Sequence, residues 1–109
     1  MIVILRILYA AIFAVMIAVT AWAATQENIL KIPPVVLNDA WFKATLFDAY
    51  FAFLSFYLWV CYREKTNLWR IFWFFAIVFL GNIAMSVYVL IALHRLKPGD
   101  GAAQLFARP

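Results

Sequence analysis

Residues 41–60, WFKATLFDAYFAFLSFYLWV, form a nearly continuous apolar and aromatic run that decides the class of fold. A helix needs about 20 mostly apolar residues to cross the hydrocarbon core of a bilayer, and this run is long enough. One acid, Asp48, lies well inside the run. An unpaired charge near the middle of a bilayer costs about 2.5–3.5 kcal/mol on insertion scales and by default marks a functional site. The sequence therefore predicts a membrane helix and makes Asp48 the first candidate residue.

The composition of the whole chain supports a membrane protein. Of its 109 residues, 69% are hydrophobic and 13% are charged. A soluble domain of this length has too little interior to bury so much apolar surface, so we expect the excess to face lipid. The lysines and arginines lie between apolar runs, and the aromatic residues are not interleaved with them, which argues against nucleic-acid binding. A single cysteine, Cys61, can form no internal disulfide.

Three apolar segments reach spanning length, at about residues 2–24, 40–62 and 69–93. Indole rings prefer the interface between membrane and water. The predicted interface anchors at the borders of these segments are Trp22, Trp41, Trp59, Trp69 and Trp73. We therefore predict an all-α fold, in which one membrane domain forms a bundle of three transmembrane helices and a short tail follows at residues 97–109.

The start of the chain also resembles a secretory signal, with Arg6, an apolar run and small residues at Ala21 and Ala23. Cleavage there would leave a hairpin of two helices. The apolar run extends on both sides of Arg6 and is long enough to span, so we expect the first helix to be retained.

The basic residues predict the orientation, because cytoplasmic loops are enriched in lysine and arginine. With three spans, one side of the membrane holds Arg6, Arg63, Lys65 and Arg70, and the other holds Lys31, Lys43, Arg95, Lys97 and Arg108. The loop at residues 63–68 is the denser cluster. We therefore expect an integral protein of the bacterial cytoplasmic (inner) membrane, with its amino terminus and this loop in the cytoplasm.

Small and polar residues are expected to hold the helices together, because lipid is as apolar as leucine and gives no hydrophobic drive to association. The predicted helix-packing residues are Ala10, Ala14, Ala18, Ala52 and Gly81. The predicted intramembrane polar cluster is Thr45, Asp48, Ser55, Asn82 and Ser86. If the third helix is continuous and antiparallel to the second, the Asp48 carboxyl comes within reach of the last two side chains.

Within one protomer no basic side chain is placed to pair with Asp48. Arg6 lies at the opposite membrane face, and Lys43 lies about 140° away around the helix. We therefore expect Asp48 to be protonated or to be paired with something outside this chain. Two interpretations stay open: a neutral Asp48 that only joins two helices by hydrogen bonds, or an Asp48 that handles an ion, a proton or a ligand.

The rest of the sequence offers no catalytic or cofactor site. His94 is the only histidine, which excludes a bis-histidine haem or a multi-histidine metal site within one chain. We find no phosphate-binding loop, nucleophile–base pair or paired carboxylates, and we predict no catalytic residue, metal or cofactor. The phenylalanine-rich stretches would suit an apolar ligand such as a quinone or a carotenoid, but contact with lipid explains them better.

Motifs in the second and third segments resemble a known family. They are the run W-x-x-x-T-L-x-D-x-Y at residues 41–50, Glu64 in the turn, Gly81, and L-K-P-G-D at residues 96–100. In these features the chain is similar to a family of small, uncharacterised multi-helix membrane proteins, the domain-of-unknown-function family 1475. The resemblance implies a membrane fold and places Asp48 in a family pattern. It implies no activity.

The function that we expect is that of a non-enzymatic structural or accessory subunit. Such a protein would contact the lipid bilayer and pack against other membrane subunits or against copies of itself. The first alternative is a homo-oligomeric carrier of an ion, a proton or a small molecule that uses Asp48. The second alternative is a membrane enzyme or a binder of a lipid-like ligand.

Overall fold

The computed structural model describes residues 2–28 and 31–107, and every regular element in those residues is a helix. In chain order the helices are α1 (Ile2–Gln26), α2 (Pro34–Leu37), α3 (Ala40–Arg63), α4 (Asn67–Leu80), α5 (Asn82–His94) and α6 (Ala102–Phe106). The all-helical prediction is confirmed. Two of these helices, α1 and α3, are long and apolar enough to cross a membrane. At about 1.5 Å per residue, each is longer than the roughly 30 Å of a hydrocarbon core.

Side chains cap the amino termini of α3 and α4. The Asp39 carboxylate accepts a hydrogen bond of 3.0 Å from the backbone N–H of Phe42, at the start of α3. The Thr66 hydroxyl accepts one of 3.5 Å from the N–H of Trp69, at the start of α4. Each bond satisfies one of the backbone donors that a helix amino terminus leaves free. Residues 64–66 separate α3 from α4, so the turn between them is short.

The predicted third span is two helices rather than one. Gly81 separates α4 from α5 and has φ 54° and ψ −123°, a conformation that residues with a Cβ rarely adopt. The ring centroids of Trp73 in α4 and Tyr88 in α5 are 4.9 Å apart, which shows that the chain folds back at this glycine. In one continuous helix the same two residues would be about 22 Å apart along the axis. The prediction of a continuous spanning helix over residues 69–93 is therefore wrong.

The α4–α5 hairpin is too short to cross a bilayer. Its helices have 14 and 13 residues, which at about 1.5 Å per residue gives roughly two thirds of the hydrocarbon thickness. The glycine at its tip also allows close contact with α3. A Cβ added to Gly81 would lie 2.8 Å from Cζ of Phe53, well inside van der Waals contact.

Hydrogen bonds between helices fix the directions of the chain. The Tyr57 hydroxyl of α3 donates to the carbonyl oxygen of Arg70 in α4 at 2.9 Å, so these helices run antiparallel across their short turn. The Arg6 guanidinium of α1 donates to the carbonyl oxygen of Leu93 in α5 at 3.2 Å. Arg63 and Glu64 at the α3–α4 turn line one cavity with Arg95 after α5, so the start of α1, this turn and the end of α5 lie together. We call this the basal end. The opposite end, which holds the end of α1 and the start of α3, is called the distal end.

The buried core lies in the basal half and is centred on Tyr88. This side chain is 3% exposed, and its ring meets those of Phe56, Trp59 and Trp73 edge to face. The guanidinium of Arg63 lies over the Trp59 ring at 5.2 Å and over the Tyr88 ring at 5.5 Å. Such cation–π contacts stabilise an arginine that is largely removed from water.

The short helix α6 closes this core from below. Leu105 is buried, and the carbonyl oxygens of the next two residues accept hydrogen bonds from basal side chains. The Trp59 indole N–H donates to Phe106 at 3.1 Å, and Nε of Arg63 donates to Ala107 at 3.3 Å. The carboxyl-terminal segment is therefore part of the packed basal end, as far as the described residues extend.

Candidate functional site

The polar stripe of α3 faces outward rather than into the bundle. Its members, Thr45, Asp48, Ala52 and Ser55, are all exposed. The face of α3 that packs against the hairpin is instead built from aromatic and aliphatic residues, which include Phe53, Phe56, Tyr57 and Val60. These larger side chains bury more apolar area than small residues do, and they pack with the rings of α4 and α5. The prediction that the stripe lines the bundle interior is wrong for a single protomer.

The predicted cluster of Asp48, Asn82 and Ser86 does not form within one chain. Ser86 is 1% exposed, and its hydroxyl donates to the carbonyl oxygen of Asn82 one turn earlier in α5. Asn82 itself is exposed, next to the hairpin tip. The reversal at Gly81 explains the difference. It turns Ser86 back toward the basal end, whereas Asp48 lies five residues to the distal side of Phe53, about 7–8 Å along the helix.

Asp48 differs from Thr45 and Ser55, the other polar members of its stripe, in having no hydrogen-bond partner among the described residues. The Thr45 hydroxyl donates to the carbonyl oxygen of Trp41 at 2.8 Å, and the Ser55 hydroxyl donates to that of Phe51 at 3.0 Å. Both hydroxyls are thus satisfied inside the helix. Asp48 makes no hydrogen bond or ion pair with any residue that the structure describes. It is an exposed carboxyl without an internal partner, on a helix long enough to span a membrane.

The small residues of α1 face outward as well. Ala10, Ala14 and Ala18 are exposed, and α1 has no buried residue. Its contact with the rest of the protein uses larger side chains such as Leu5 and Tyr9, which pack near the end of α5. The expectation that this alanine face packs inside the protomer is therefore wrong. Gly81, in contrast, is buried against Phe53.

The five tryptophans differ in how far they are exposed. Trp22, Trp41 and Trp69 are exposed near helix ends, where an interfacial anchor would lie. Trp73 is 8% exposed, so the structure assigns it to the core and corrects its prediction as an anchor. Trp59 is partly buried, and its indole N–H donates to a backbone carbonyl of α6, so it belongs partly to the core and partly to the surface.

The reversal at Gly81 also moves basic residues from one end to the other. Arg95 and Arg63 line one cavity between the α3–α4 turn and the end of α5, so Arg95 lies at the basal end. Lys97 follows two residues later. The described basic residues at the basal end are thus Arg6, Arg63, Lys65, Arg70, Arg95 and Lys97. Lys31 and Lys43 belong to the distal end, and Arg108 lies outside the described residues. The nearly even division expected from three spans is wrong, and the chain has one strongly basic end.

Sequence reasoning missed the basal cluster around Arg63, Tyr88 and Arg95. It placed the two arginines on opposite sides because it treated residues 69–93 as one helix. The signal was Gly81 followed by Asn82, a pair typical of turns, in the middle of an apolar segment. Within the described residues, no group of three or more histidine, cysteine or acidic side chains is close enough to hold a metal ion.

A family model described as "Protein of unknown function (DUF1475)" matches residues 1–106. The match includes α1 as well as the two segments whose motifs suggested the resemblance. Searches of curated proteins and of solved structures gave no match. Since the family model covers nearly the whole chain, the protein belongs to the family described as "Protein of unknown function (DUF1475)".

Proposed function

We propose that this protein is a non-enzymatic integral membrane subunit that assembles with a partner through the outward polar stripe of α3. The partner is another membrane protein or a further copy of the same chain. In this proposal α1 and α3 cross the bilayer, and the α4–α5 hairpin enters from the basal side and returns to it. The observation that carries the proposal is the exposed, unpartnered carboxyl of Asp48 on a spanning-length helix.

The orientation follows from the basic residues. The basal end holds six of the described lysines and arginines, namely Arg6, Arg63, Lys65, Arg70, Arg95 and Lys97, and the distal end holds Lys31 and Lys43. Cytoplasmic segments near membrane spans carry an excess of such residues. We therefore place the basal end, with the amino terminus and the 63–68 loop, on the cytoplasmic side of the bacterial inner membrane.

The need for a partner follows from the position of Asp48. It lies eight residues into α3, about 12 Å along the axis from Ala40, with exposed apolar residues such as Phe47 and Phe51 beside it. A charged side chain that faced lipid there would cost about 2.5–3.5 kcal/mol. Contact with a second protein replaces lipid by hydrogen-bonding groups. Ala52 and Ser55, which share the face, are small enough to let another helix approach closely.

The size of the protein in a mild detergent tests this proposal. We would purify the full chain, identify what co-migrates with it, and measure the protein mass of the particle by light scattering. The proposal expects a defined homo-oligomer or a stoichiometric complex with another membrane protein. A strictly monomeric chain with no companion would contradict it.

One observation favours a second candidate, a homo-oligomeric carrier that uses Asp48. In the proposed placement the hairpin tip, with Gly81 and the exposed Asn82, lies at an intermediate depth of the bilayer. Irregular backbone at membrane depth is tolerated where it is buried in protein or lines a water-filled cavity. In such a carrier the tips and Asp48 carboxyls of several protomers surround one pathway. Flux into liposomes that disappears in an Asp48→Asn variant of unchanged oligomeric state would support the carrier, and equal flux in that variant would contradict it.

A further inference from the structure

A cavity of about 180 Å³ opens at the basal end, between the α3–α4 turn and the end of α5. Its walls include three aromatic side chains, two arginines and one acid, namely Trp69, Trp73, Tyr88, Arg63, Arg95 and Glu64. A cavity of about 150 Å³ holds a benzene-sized molecule. This cavity is therefore large enough for a phosphate group with a small substituent, but not for a whole lipid.

One buried polar atom, in a residue that lines the cavity, has no hydrogen bond. Tyr88 is 3% exposed, and its hydroxyl is the one buried side-chain polar atom of the described residues that lacks a hydrogen bond. The charged ends of Arg63 and Glu64 are near enough to act on it electrostatically, but neither makes a hydrogen bond of acceptable geometry with it. Buried hydroxyls without a partner destabilise a protein and are rare. The hydroxyl is covered by its neighbours, so a ligand in the cavity that accepts a hydrogen bond would satisfy it after a small shift of the surrounding side chains.

The charges in the cavity wall favour an anion. Arg63 is 7% exposed, and its Nε donates to the carbonyl oxygen of Ala107, while its guanidinium also lies close to the Tyr88 side chain. The Arg95 guanidinium is exposed and has no partner among the described residues. Guanidinium groups bind phosphate oxygens in a bidentate manner. Glu64 supplies one acceptor, which suits a hydroxyl next to the phosphate.

The surroundings of the cavity suit the headgroup of a lipid. Trp69, which lines it, is half exposed, and Leu68 and Ile71 beside it are exposed apolar residues. Acyl chains could lie along such a surface while the phosphate occupies the polar cavity. The other basal arginines and lysines add an attractive potential for anionic lipid.

We propose that this basal cavity binds the phosphodiester headgroup of a monoanionic phospholipid. The phosphate lies between Arg63 and Arg95, the Tyr88 hydroxyl donates to a phosphate oxygen, and a headgroup hydroxyl donates to Glu64. This site is separate from the α3 stripe, and it rests on the membrane placement proposed above only for the source of its ligand.

Thermal unfolding of the purified full chain in a neutral detergent provides the test. Phosphatidylglycerol, phosphatidylcholine and inorganic phosphate would be titrated separately. The proposal expects saturable stabilisation by phosphatidylglycerol and little by phosphatidylcholine, whose headgroup has no hydrogen-bond donor and no net charge. Stabilisation by inorganic phosphate equal to that by phosphatidylglycerol would overturn the lipid as the source of the ligand. Absence of any saturable effect would overturn the site.

Two variants and one control separate this cavity from general charge attraction. Arg95→Gln removes an exposed guanidinium and should weaken the apparent affinity for phosphatidylglycerol by about tenfold. Lys65→Gln removes a charge from the same end that does not line the cavity, and it should leave the affinity within about twofold of the parent protein. An equal loss in both variants would overturn the proposal in favour of diffuse attraction.

Tyr88→Phe gives a readout that packing alone does not predict. It keeps the ring and removes the unpaired hydroxyl, so the variant should unfold at a higher temperature than the parent without lipid. Its apparent affinity for phosphatidylglycerol should nevertheless fall by about fivefold. Unchanged lipid affinity in a stable Tyr88→Phe protein would contradict the role given to the hydroxyl. The oligomer mass measured in the same samples tests the assembly proposal independently.

Discussion

The basal and distal halves of this protein are stabilised in different ways. Among the described residues, the basal half contains every buried side chain, a ring cluster around Tyr88, and arginines that donate to backbone carbonyls. The distal half has long stretches of α1 and α3 that extend past the hairpin tip with no buried residue. The comparison teaches that the basal half can hold its structure by internal packing, whereas the distal half depends on what surrounds it. The predictions below test that division, and they run from the largest expected effect to the smallest.

A tyrosine in each half gives the strongest contrast. Tyr88 is 3% exposed and Tyr50 is 49% exposed. Tyr88→Ala should lower the free energy of unfolding by about 3–5 kcal/mol, because it leaves a cavity in the middle of the ring cluster. Tyr50→Ala should lower it by less than about 1 kcal/mol, since solvent or lipid replaces the missing ring. Equilibrium unfolding of both variants in detergent measures the difference, and similar losses would refute the division into two halves.

The hairpin tip is the next most sensitive position. Gly81 has φ 54° and a Cβ there would overlap Phe53, so Gly81→Ala should cost about 2–4 kcal/mol through strain and overpacking. Gly99→Ala is a matched control. Gly99 has φ 90°, but no atom lies within 4 Å of an added Cβ. The control should therefore show the strain alone, about 1 kcal/mol. Thermal unfolding of the two variants separates overlap from strain, and equal losses would argue against the contact with α3.

The distal half should respond in assembly rather than in folding. Asp48→Leu should weaken association by about 3- to 30-fold, the equivalent of an interhelical hydrogen bond of 0.6–2 kcal/mol in a membrane. Asp48→Asn keeps the hydrogen-bonding capacity and should preserve assembly. Leu54→Ala, on another exposed face of α3, serves as the control. The mass distribution of each protein over a dilution series provides the measurement. A normal oligomer in Asp48→Leu would show that the stripe is not the interface.

The sequence predicted the helices whose pattern is unambiguous. Hydrophobic length predicts α1 and α3 to within a few residues. The break at Gly81 was missed because apolar residues continue on both sides of it and hydropathy alone does not register a reversal. That one omission placed Arg95 and Lys97 at the wrong end, and it placed Ser86 beside Asp48.

The packing faces were harder to predict than the helices. Small residues were expected inside, since they pack helices in lipid. In this chain aromatic and aliphatic side chains make up most of the interior, together with small residues of the hairpin such as Gly81 and Ser86. The alanines of α1 and the stripe of α3 lie outside. The sequence identified Asp48 as unusual but did not predict which neighbour it contacts. The polar stripe and the aromatic face of α3 both recur at helical spacing, so the pattern alone did not show which of them packs inside. The basal cluster depends on side chains brought together by the reversal, so it could not be predicted without the fold.

The account depends most on the reversal of the chain at Gly81, which brings both ends of the hairpin to the basal end and, in the proposed placement, to the same side of the membrane. Single cysteines at Lys65, Lys97 and Lys43, in a Cys61→Ser background, test it with a membrane-impermeant maleimide. We expect Lys65→Cys and Lys97→Cys to be labelled from one side of the membrane and Lys43→Cys from the other. Labelling of Lys97→Cys together with Lys43→Cys, opposite to Lys65→Cys, would mean that the segment crosses the bilayer as one helix and would contradict the account.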